Sequence, residues 1–600
     1  MTMLFKQDLM DGGPDAQLSS PAARASKPAY EVDVVVVGSG AGALLAACRA
    51  HDNGQSVLIV EKTHLYGGTS AVSGGGIWIP NNDHIASDGG SDSQDDALAY
   101  LGAATKGEVD ETKLRAYVTH APEMLRYAEV RTHVKYHANP YYADYYQHLP
   151  GAKLGYRSLD AEPFDGKLLG DDILKMRETS PTMLIFGRVT MSTNEAVTLL
   201  SRASGWRKCA LKVLGNYVLD FPWRLRSRRD RRLNMGSALV GALRLSLLDR
   251  NVPLWLNAPM KSLVVEDDRV TGIVVEQDGR DVTVRAKKGV ILATGGFESN
   301  QEMRERYLPK PTRSEWTAAP RCNTGDGIKA GMNIGAAIGN MQHAWWTPTI
   351  QVPGEEKPRG LFSERALPGC IVVNRLGKRF ANEAQDYLDF VLAMYEDHAI
   401  TGANLPAWMI FDSRFRRKYN AGPLVSSSIL PDRLHPQRWL GHVYFRGETL
   451  EDLASQIGVD TVVLSQSVER LNDYARTGID LEFNKGGNAY DTFYGDHSVK
   501  PNPCLAPLEQ GPFYAIRLDA GDIGTKGGLM TDEFSRVLHS DGSPIQGLYA
   551  TGNTSASITG PSYPGAGATL GPAMTFGFIA ANHIAGIYDA QKNSVCSVRC

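Results

Sequence analysis

Cysteine chemistry is almost absent from this chain. Its seven cysteines, Cys48, Cys209, Cys322, Cys370, Cys504, Cys596 and Cys600, include no C-x-x-C pair. That argues against a zinc site, an iron–sulfur cluster or a dithiol redox centre, and fits a reduced, cytoplasmic protein with no metal. Net charge is scarce too. Lys plus Arg number 63 against 66 Asp plus Glu, leaving −3, so no nucleic-acid or acidic-polymer partner is expected. Apolar runs never reach the roughly eighteen residues that a membrane-crossing helix needs. Nor does the start carry the apolar stretch of a signal peptide. Gly12, Gly13, Pro14, Ser19, Ser20 and Pro21 punctuate residues 1–30, which read as a disordered leader.

The rest is ordinary globular material, 42% hydrophobic and 22% charged over 600 residues. That length exceeds what one hydrophobic core usually fills, so two or more domains are expected. Residues 32–37, Val-Asp-Val-Val-Val-Val, predict a strand buried in a parallel sheet. It runs into Gly38-Ser39-Gly40-Ala41-Gly42-Ala43, the G-x-G-x-x-A form of the dinucleotide fingerprint. Gly38 suits the tight turn, Gly40 the approach of a pyrophosphate, and Ala43 close helix–strand packing. The helix N-terminus offers free N–H groups to phosphate. A second strand, 57–60, ends at Glu61, placed to accept hydrogen bonds from a ribose hydroxyl, with Lys62 beside it.

The segment after this strand distinguishes FAD from NAD. Gly67-Gly68-Thr69-Ser70 and Ser73-Gly74-Gly75 form a second small-residue stretch, able to lie against a flat ring system and to offer N–H groups to further phosphate oxygens. A hairpin is predicted over 260–266 and 269–276, turning at Asp267-Asp268. A buried strand then ends in Ala293-Thr294-Gly295, and another near the C-terminus ends in Gly552-Asn553. Ala568, Thr569 and Leu570 open a last helix whose N–H groups could stabilise negative charge on a reduced flavin.

Together with Asn323-Thr324-Gly325-Asp326, these segments resemble the fumarate-reductase/3-ketosteroid-dehydrogenase flavoprotein superfamily from residue 31 to about 588. The resemblance implies an α/β fold: a discontinuous Rossmann-like FAD-binding domain over 31–300 and 505–588, an inserted α+β catalytic domain over 301–504, and a tail over 589–600. Members with covalent flavin carry a histidine in the segment equivalent to 67–73. This chain has none there, so non-covalent FAD is expected.

Three patches are similar to elements of 3-ketosteroid Δ1-dehydrogenases: Tyr563-Pro564-Gly565-Ala566-Gly567, Asn382-Glu383 with Tyr387 and Phe390, and Asp144-Tyr145-Tyr146. The resemblance implies that Tyr563 O–H and Gly567 N–H hold the C3 carbonyl of a 3-oxosteroid, that Tyr387 is the base, and that Tyr145 supports it. Such an enzyme removes a proton from C2 and passes a hydride from C1 to flavin N5. An unidentified electron acceptor, for instance a quinone, would then reoxidise the flavin. Five tyrosines crowd 136–146, so Tyr146 competes with Tyr145 for the supporting role. A free tyrosine titrates near 10, which predicts an alkaline optimum.

Beside a flavin-binding electron carrier with no organic substrate, two rivals that act on one stay open at this point. One is a Δ4-(5α)-dehydrogenase or enone reductase. The other is a fumarate-reductase-like dicarboxylate reductase, for which arginines exist at 365, 375, 379, 414, 416 and 417. Arg224, Arg226, Arg228, Arg229, Arg231 and Arg232 lie beside the largely apolar stretch 211–223. They read either as a solvated charged face or as a peripheral membrane contact.

Overall fold

The computed structural model describes residues 30–588 apart from 88, 182, 183, 186, 193, 194, 196, 197 and 200–204. The expected leader up to residue 29 and the tail from 589 lie outside the described residues. Its first sheet has eight strands. The strand Tyr30–Val37 pairs in parallel with Val57–Val60 on one side and with Arg280–Leu292 on the other. Leu254–Trp255 extends the sheet beyond Val57–Val60, and Pro544–Ala550 runs parallel to the end of Arg280–Leu292. Val34, Val35, Val36, Leu58 and Ile59 are fully buried, as β-branched and leucine side chains covered on both faces should be.

The register places the site. Val37 pairs with Val60 and with Leu292, and Leu292 pairs with Ala550. The four strands therefore end at one edge, and Gly38, Glu61, Ala293 and Thr551 come next there. The chain order reverses between Tyr30–Val37 and Arg280–Leu292, and a crevice for ligand opens outside strand ends at such a switch point. The predicted hairpin is present as Met260–Glu266 against Arg269–Gln277. Its turn residues Asp267 and Asp268 have φ of 48° and 56°, as a two-residue type I′ connection requires.

Helix Ala41–Asp52 begins within the fingerprint and packs against the last helix, Leu570–Ile584. A β-carbon on Gly42 would lie 2.6 Å from the Ala573 carbonyl oxygen, and one on Gly577 would lie 2.6 Å from the Gly42 oxygen. The small residues thus serve helix-to-helix contact as well as the strand.

A second, antiparallel sheet of six strands is centred on Phe513–Thr525. Ala344–Ile350, Ala407–Phe411 and Tyr444–Gly447 all pair with it, and Cys370–Val373 lies outside Ala407–Phe411. This corrects the expected boundary at 504/505. The chain stays in the second sheet through Thr525 and rejoins the first only at Arg536–Leu538 and Pro544–Ala550. The reason is that Phe513–Thr525 finds its partners by pairing across up to about 180 residues, which its local pattern does not reveal.

Candidate active site

At the sheet edge the fingerprint, Glu61 and the second glycine stretch form one hydrogen-bonded unit. Gly38 has φ +107°, and a β-carbon there would overlap the Ala293 carbonyl. Ser39 Oγ donates to Glu61 Oε2 at 2.6 Å and accepts the Gly67 N–H at 3.0 Å. Glu61 Oε1 accepts from the Thr63 N–H at 2.9 Å. Gly67 and Gly68 hold φ of +108° and +51°. Ser70 Oγ accepts the Ala41 N–H at 3.0 Å and would lie 3.3 Å from a β-carbon on Gly40. Ser73 Oγ accepts the Gly75 N–H, and Gly75, at φ +73°, turns tightly over Met235. A β-carbon on Gly74 would meet nothing within 4 Å, so that backbone is open to a ligand.

Residues about 260 positions away complete the rim. Lys62 Nζ donates to Asp326 Oδ2 at 2.6 Å and to Thr324 Oγ1 at 3.0 Å. Asn323 Nδ2 donates to Thr69 Oγ1 at 2.8 Å. Gly325, at φ +76°, precedes a short helix, Asp326–Met332. Thr294 Oγ1 lies 3.1 Å from Thr554 Oγ1, and the Gly295 carbonyl accepts from Thr554 at 3.2 Å. A cleft lined by Trp345, Gly552, Asn553, Ala568, Thr569 and Pro572 lies at the start of the last helix, which begins at Leu570 with no side-chain cap. Of its first amides, Gly571 and Ala573 donate to the Gly567 and Thr569 carbonyls and Pro572 has no N–H, so what the helix offers a negatively charged neighbour is the positive end of its dipole. Positive-φ glycines, the positive end of a helix and a carboxylate at the second strand end suit the phosphates, ribose and ring of a flavin dinucleotide.

Beside this rim, the three expected tyrosines come together from distant segments. Ring centroids of Tyr387 and Tyr563 lie 5.3 Å apart, those of Tyr145 and Tyr563 5.3 Å, and those of Tyr145 and Tyr387 6.0 Å. Tyr145 donates to the Tyr387 hydroxyl at 3.4 Å, and Tyr563 O–H lies 3.3 Å from Thr569 Oγ1. Tyr387 is the first residue of helix Tyr387–Thr401, set there by Asp386, whose side chain caps the Leu388 and Asp389 N–H groups. Tyr146 is engaged elsewhere, its hydroxyl accepting the Tyr563 N–H at 2.9 Å. That separates the two neighbours: Tyr145 presents its phenol to the cluster and Tyr146 braces the loop. The Pro564 carbonyl is further held by Tyr100 O–H at 2.6 Å and the Tyr145 N–H at 3.0 Å. Gly567 adopts φ +95° against the backbone of Ile77, and among the described residues its N–H makes no hydrogen bond.

Burial sets the electrostatics. It holds the Tyr387, Tyr145 and Tyr563 phenols above the ordinary tyrosine value, with Tyr563 adding to the rise at Tyr387 and the Tyr145 hydrogen bond opposing it. Glu298, fully buried, is pushed up to about 7 by burial and by Asp522. It accepts from Asn323 Nδ2 at 2.6 Å.

Sequence reasoning missed Glu298, Trp345's role and Lys526. Lys526 Nζ donates to the Ser562 carbonyl, just before Tyr563, and lies 4.3 Å from the Trp345 ring centroid. Burial holds its ammonium well below the usual lysine range. Trp345 in turn packs edge-on to Tyr563 at 4.8 Å and donates from Nε1 to Asn553 Oδ1 at 3.1 Å. A lone lysine leaving a strand carries no motif, so nothing local could have flagged it.

Comparison with known proteins adds to this geometry. The family model described as FAD binding domain matches residues 33–570. A 3-oxosteroid 1-dehydrogenase of Mycolicibacterium smegmatis is 40% identical over 574 residues, 94% of this chain and 98% of the relative. A 4-oxocyclohexanecarboxylate 2-dehydrogenase of Sinomonas cyclohexanicum is 38% identical over 576 residues, 93% of this chain and 94% of the relative. Among solved structures, the 3-ketosteroid Δ1-dehydrogenase of Sterolibacterium denitrificans, in complex with 1,4-androstadiene-3,17-dione, aligns with TM-score 0.90 and 55% identity. It covers 93% of this chain and all of that one.

Proposed function

The chain belongs to the FAD-binding flavoproteins, within the 3-oxosteroid 1-dehydrogenase family, and from that premise we propose how it desaturates the C1–C2 bond of a 3-oxosteroid. The observation that carries the reading is the convergence of Tyr145, Tyr387 and Tyr563, drawn from three distant segments, beside the start of the last helix. FAD, held without a covalent bond by 38–43, 61–62, 67–70, 73–75, 293–295, 323–326, 552–553 and 568–570, supplies the hydride acceptor when bound. The second sheet and its helices form the substrate-bearing unit inserted into the discontinuous cofactor domain.

The protein's own part is proton chemistry. Tyr563 O–H and the unengaged Gly567 N–H point the C3 carbonyl and stabilise the enolate that develops when C2 loses its proton. Each such donor is worth about 10²–10³-fold in rate. Tyr387 takes the C2 proton, and Tyr145 O–H, donating to Tyr387, favours its charged form. The buried, aromatic surroundings exclude water, which strengthens each of these interactions.

The dicarboxylate rival needs free arginines to clamp two carboxylates. Here Arg365 donates to the Glu383 carbonyl, Arg375 to the Gly402 carbonyl, Arg379 to Glu383 and Asp480, Arg414 to Asp412 and Arg416 to Asp432. Those guanidinium groups already have partners, which supports the steroid reading.

Anaerobic titration of the holoenzyme with androst-4-ene-3,17-dione tests the proposal. The flavin spectrum should bleach stoichiometrically, and NMR of the product should show new vinyl protons at C1 and C2. Bleaching with 5α-androstane-3,17-dione that yields only a C4 double bond would favour the Δ4 rival. Absence of bleaching with either steroid would rule both out.

We further propose a peripheral membrane contact, centred on the exposed apolar side of helix Trp206–Leu219. The arginines after it are mostly committed within the protein. Arg229 donates to the Ile173 and Met176 carbonyls, Arg231 to Asp220 and Arg232 to Glu195.

A further inference from the structure

Tyr563 can aim its O–H at a C3 carbonyl only if its backbone and ring are fixed. The peptide group joining Ser562 to Tyr563 is held at both ends. Its N–H donates to the Tyr146 hydroxyl at 2.9 Å, and its carbonyl accepts from Lys526 Nζ. The ring is held as well. Trp345 packs edge-on to it at 4.8 Å, Trp345 Nε1 donates to Asn553 Oδ1 at 3.1 Å, and Lys526 Nζ lies 4.3 Å from the Trp345 ring centroid. Lys526 thus reaches both supports of Tyr563, the backbone before it and the indole beside it. It comes directly after Phe513–Thr525, the central strand of the second sheet. There its N–H donates to the His343 carbonyl at 3.0 Å, and its carbonyl accepts the Ser557 N–H at 3.0 Å. Lys526 is fully buried. Among the described residues the Ser562 carbonyl is its one side-chain hydrogen-bond partner, and Asp389, Asp386 and Glu108 act on it only through space. A desolvated lysine without a paired counter-ion costs the fold free energy, which argues for a role other than stability.

We propose that Lys526 is a positioning residue for the oxyanion site, fixing through Ser562 and Trp345 where Tyr563 presents its O–H. The inference rests on the reading of Tyr563 as a donor to the C3 oxygen. Enolate stabilisation needs a donor about 2.7–3.1 Å from the place the charged oxygen will occupy. A displacement of about 1 Å can lower the rate about 10²-fold. Without Lys526, the Ser562 carbonyl loses its partner and the Trp345 ring its cover. The peptide plane can then pivot on the Tyr146 contact, carrying the phenol with it. A hydrogen bond to the ketone is weak beside one to the enolate, so the loss falls on the chemical step and spares substrate affinity. Lys526 also ties the Tyr563 loop to the second sheet, which keeps the donor in place relative to the substrate-bearing unit.

A double-mutant cycle with Tyr563 tests this. In flavin-loaded enzyme, Lys526→Met should slow single-turnover flavin reduction by androst-4-ene-3,17-dione about 10- to 100-fold. The product 1,4-androstadiene-3,17-dione is already unsaturated at C1–C2, so it reads affinity without reducing the flavin. Its dissociation constant, followed by the flavin spectrum, should change less than about threefold. In a Tyr563→Phe background no hydroxyl is left to position, and the same substitution should slow reduction less than about threefold. A merely structural role predicts an equal loss in both backgrounds, with weaker product binding and a lower Tm. Equal losses, or an unchanged rate in Lys526→Met alone, overturn the proposal. A wild-type rate in Tyr563→Phe overturns the reading of Tyr563 itself, and that result is independent of any Lys526 variant. If Lys526→Met does not retain flavin, Lys526→Gln, which keeps an N–H donor on a shorter arm, enters the same cycle and is judged by the same two ratios.

Discussion

Tyr387 is pulled two ways by its position. As the first residue of a fifteen-residue helix it sits in the positive end of the helix dipole, which favours a phenolate. Burial and the adjoining Tyr563 push the other way and hold its value above that of a free tyrosine. The charged base is therefore the minor form at neutral pH, and catalysis that needs it must rise with pH. The expected kcat/KM profile climbs through pH 8 to 10 without a plateau and loses that slope in Tyr387→Phe; a maximum near pH 6 would refute the base assignment. Stability should move in the opposite sense. Tyr100, Tyr117 and Tyr136 are likewise buried and raised. Their contribution to stability is complete below the unfolded tyrosine value near 10 and is lost as pH rises toward the folded values. A falling Tm above pH 10 will cap the climb in rate. At this scale the sequence was readable where a motif gives a residue its neighbours, as Pro564 and Gly565 do for Tyr563. It was unreadable where partners come from far away. Nothing in the run of tyrosines 136–146 says that Tyr142 meets Tyr494, or that Tyr146 braces the backbone of Tyr563.

At the scale of elements, the cofactor rim depends on how closely the first and last helices approach. Gly42 and Gly577 allow that approach, and the last helix begins at Leu570, beside Thr569 and the Tyr563 loop. Alanine favours a helix over glycine by about 1 kcal/mol, so Gly42→Ala would stabilise an isolated helix. Here its β-carbon would sit 2.6 Å from the Ala573 carbonyl oxygen, and backbone cannot swing aside as a side chain can. We expect Gly42→Ala to cost about 1–3 kcal/mol through overpacking, with a lower Tm and reduced flavin retention on gel filtration. A Tm equal to wild type would show that the helices have room to separate. The strand–glycine–helix unit was legible because its signals are consecutive: an apolar β-branched run, glycines, then a second strand ending at Glu61. The central strand Phe513–Thr525 was not, because its pairings with Ala344–Ile350 and Ala407–Phe411 are set by the fold and leave no local mark.

On the scale of the whole molecule, one region departs from the usual distribution of apolar side chains. Leu211, Val218, Leu219, Phe221 and Leu225 are 74%, 64%, 81%, 63% and 74% exposed. Leu211, Leu214 and Val218 recur at helical spacing along Trp206–Leu219. Scattered exposed leucines need no explanation, but a contiguous apolar face rimmed by charge marks an interaction site. The rim is cationic, with Arg207, Lys208, Lys212, Arg226 and Arg228 exposed around it. An apolar face inside a basic border is the pattern of a helix lying in the headgroup layer of an anionic bilayer. No helix among the described residues is long and apolar enough to cross a membrane, so any such contact is peripheral. A sterol-derived substrate dissolves in lipid, and an enzyme resting there would meet it without a passage through water. The expected result is co-sedimentation with vesicles containing anionic phosphatidylglycerol and weaker binding to neutral phosphatidylcholine. Leu211→Glu with Val218→Glu should abolish pelleting while leaving flavin reduction by a soluble steroid unchanged, because both side chains face away from the protein. Removing the apolar face, and not merely screening the charge with salt, is what distinguishes insertion from loose electrostatic adsorption. If the double variant pelleted as well as wild type, the face would have to serve something other than lipid.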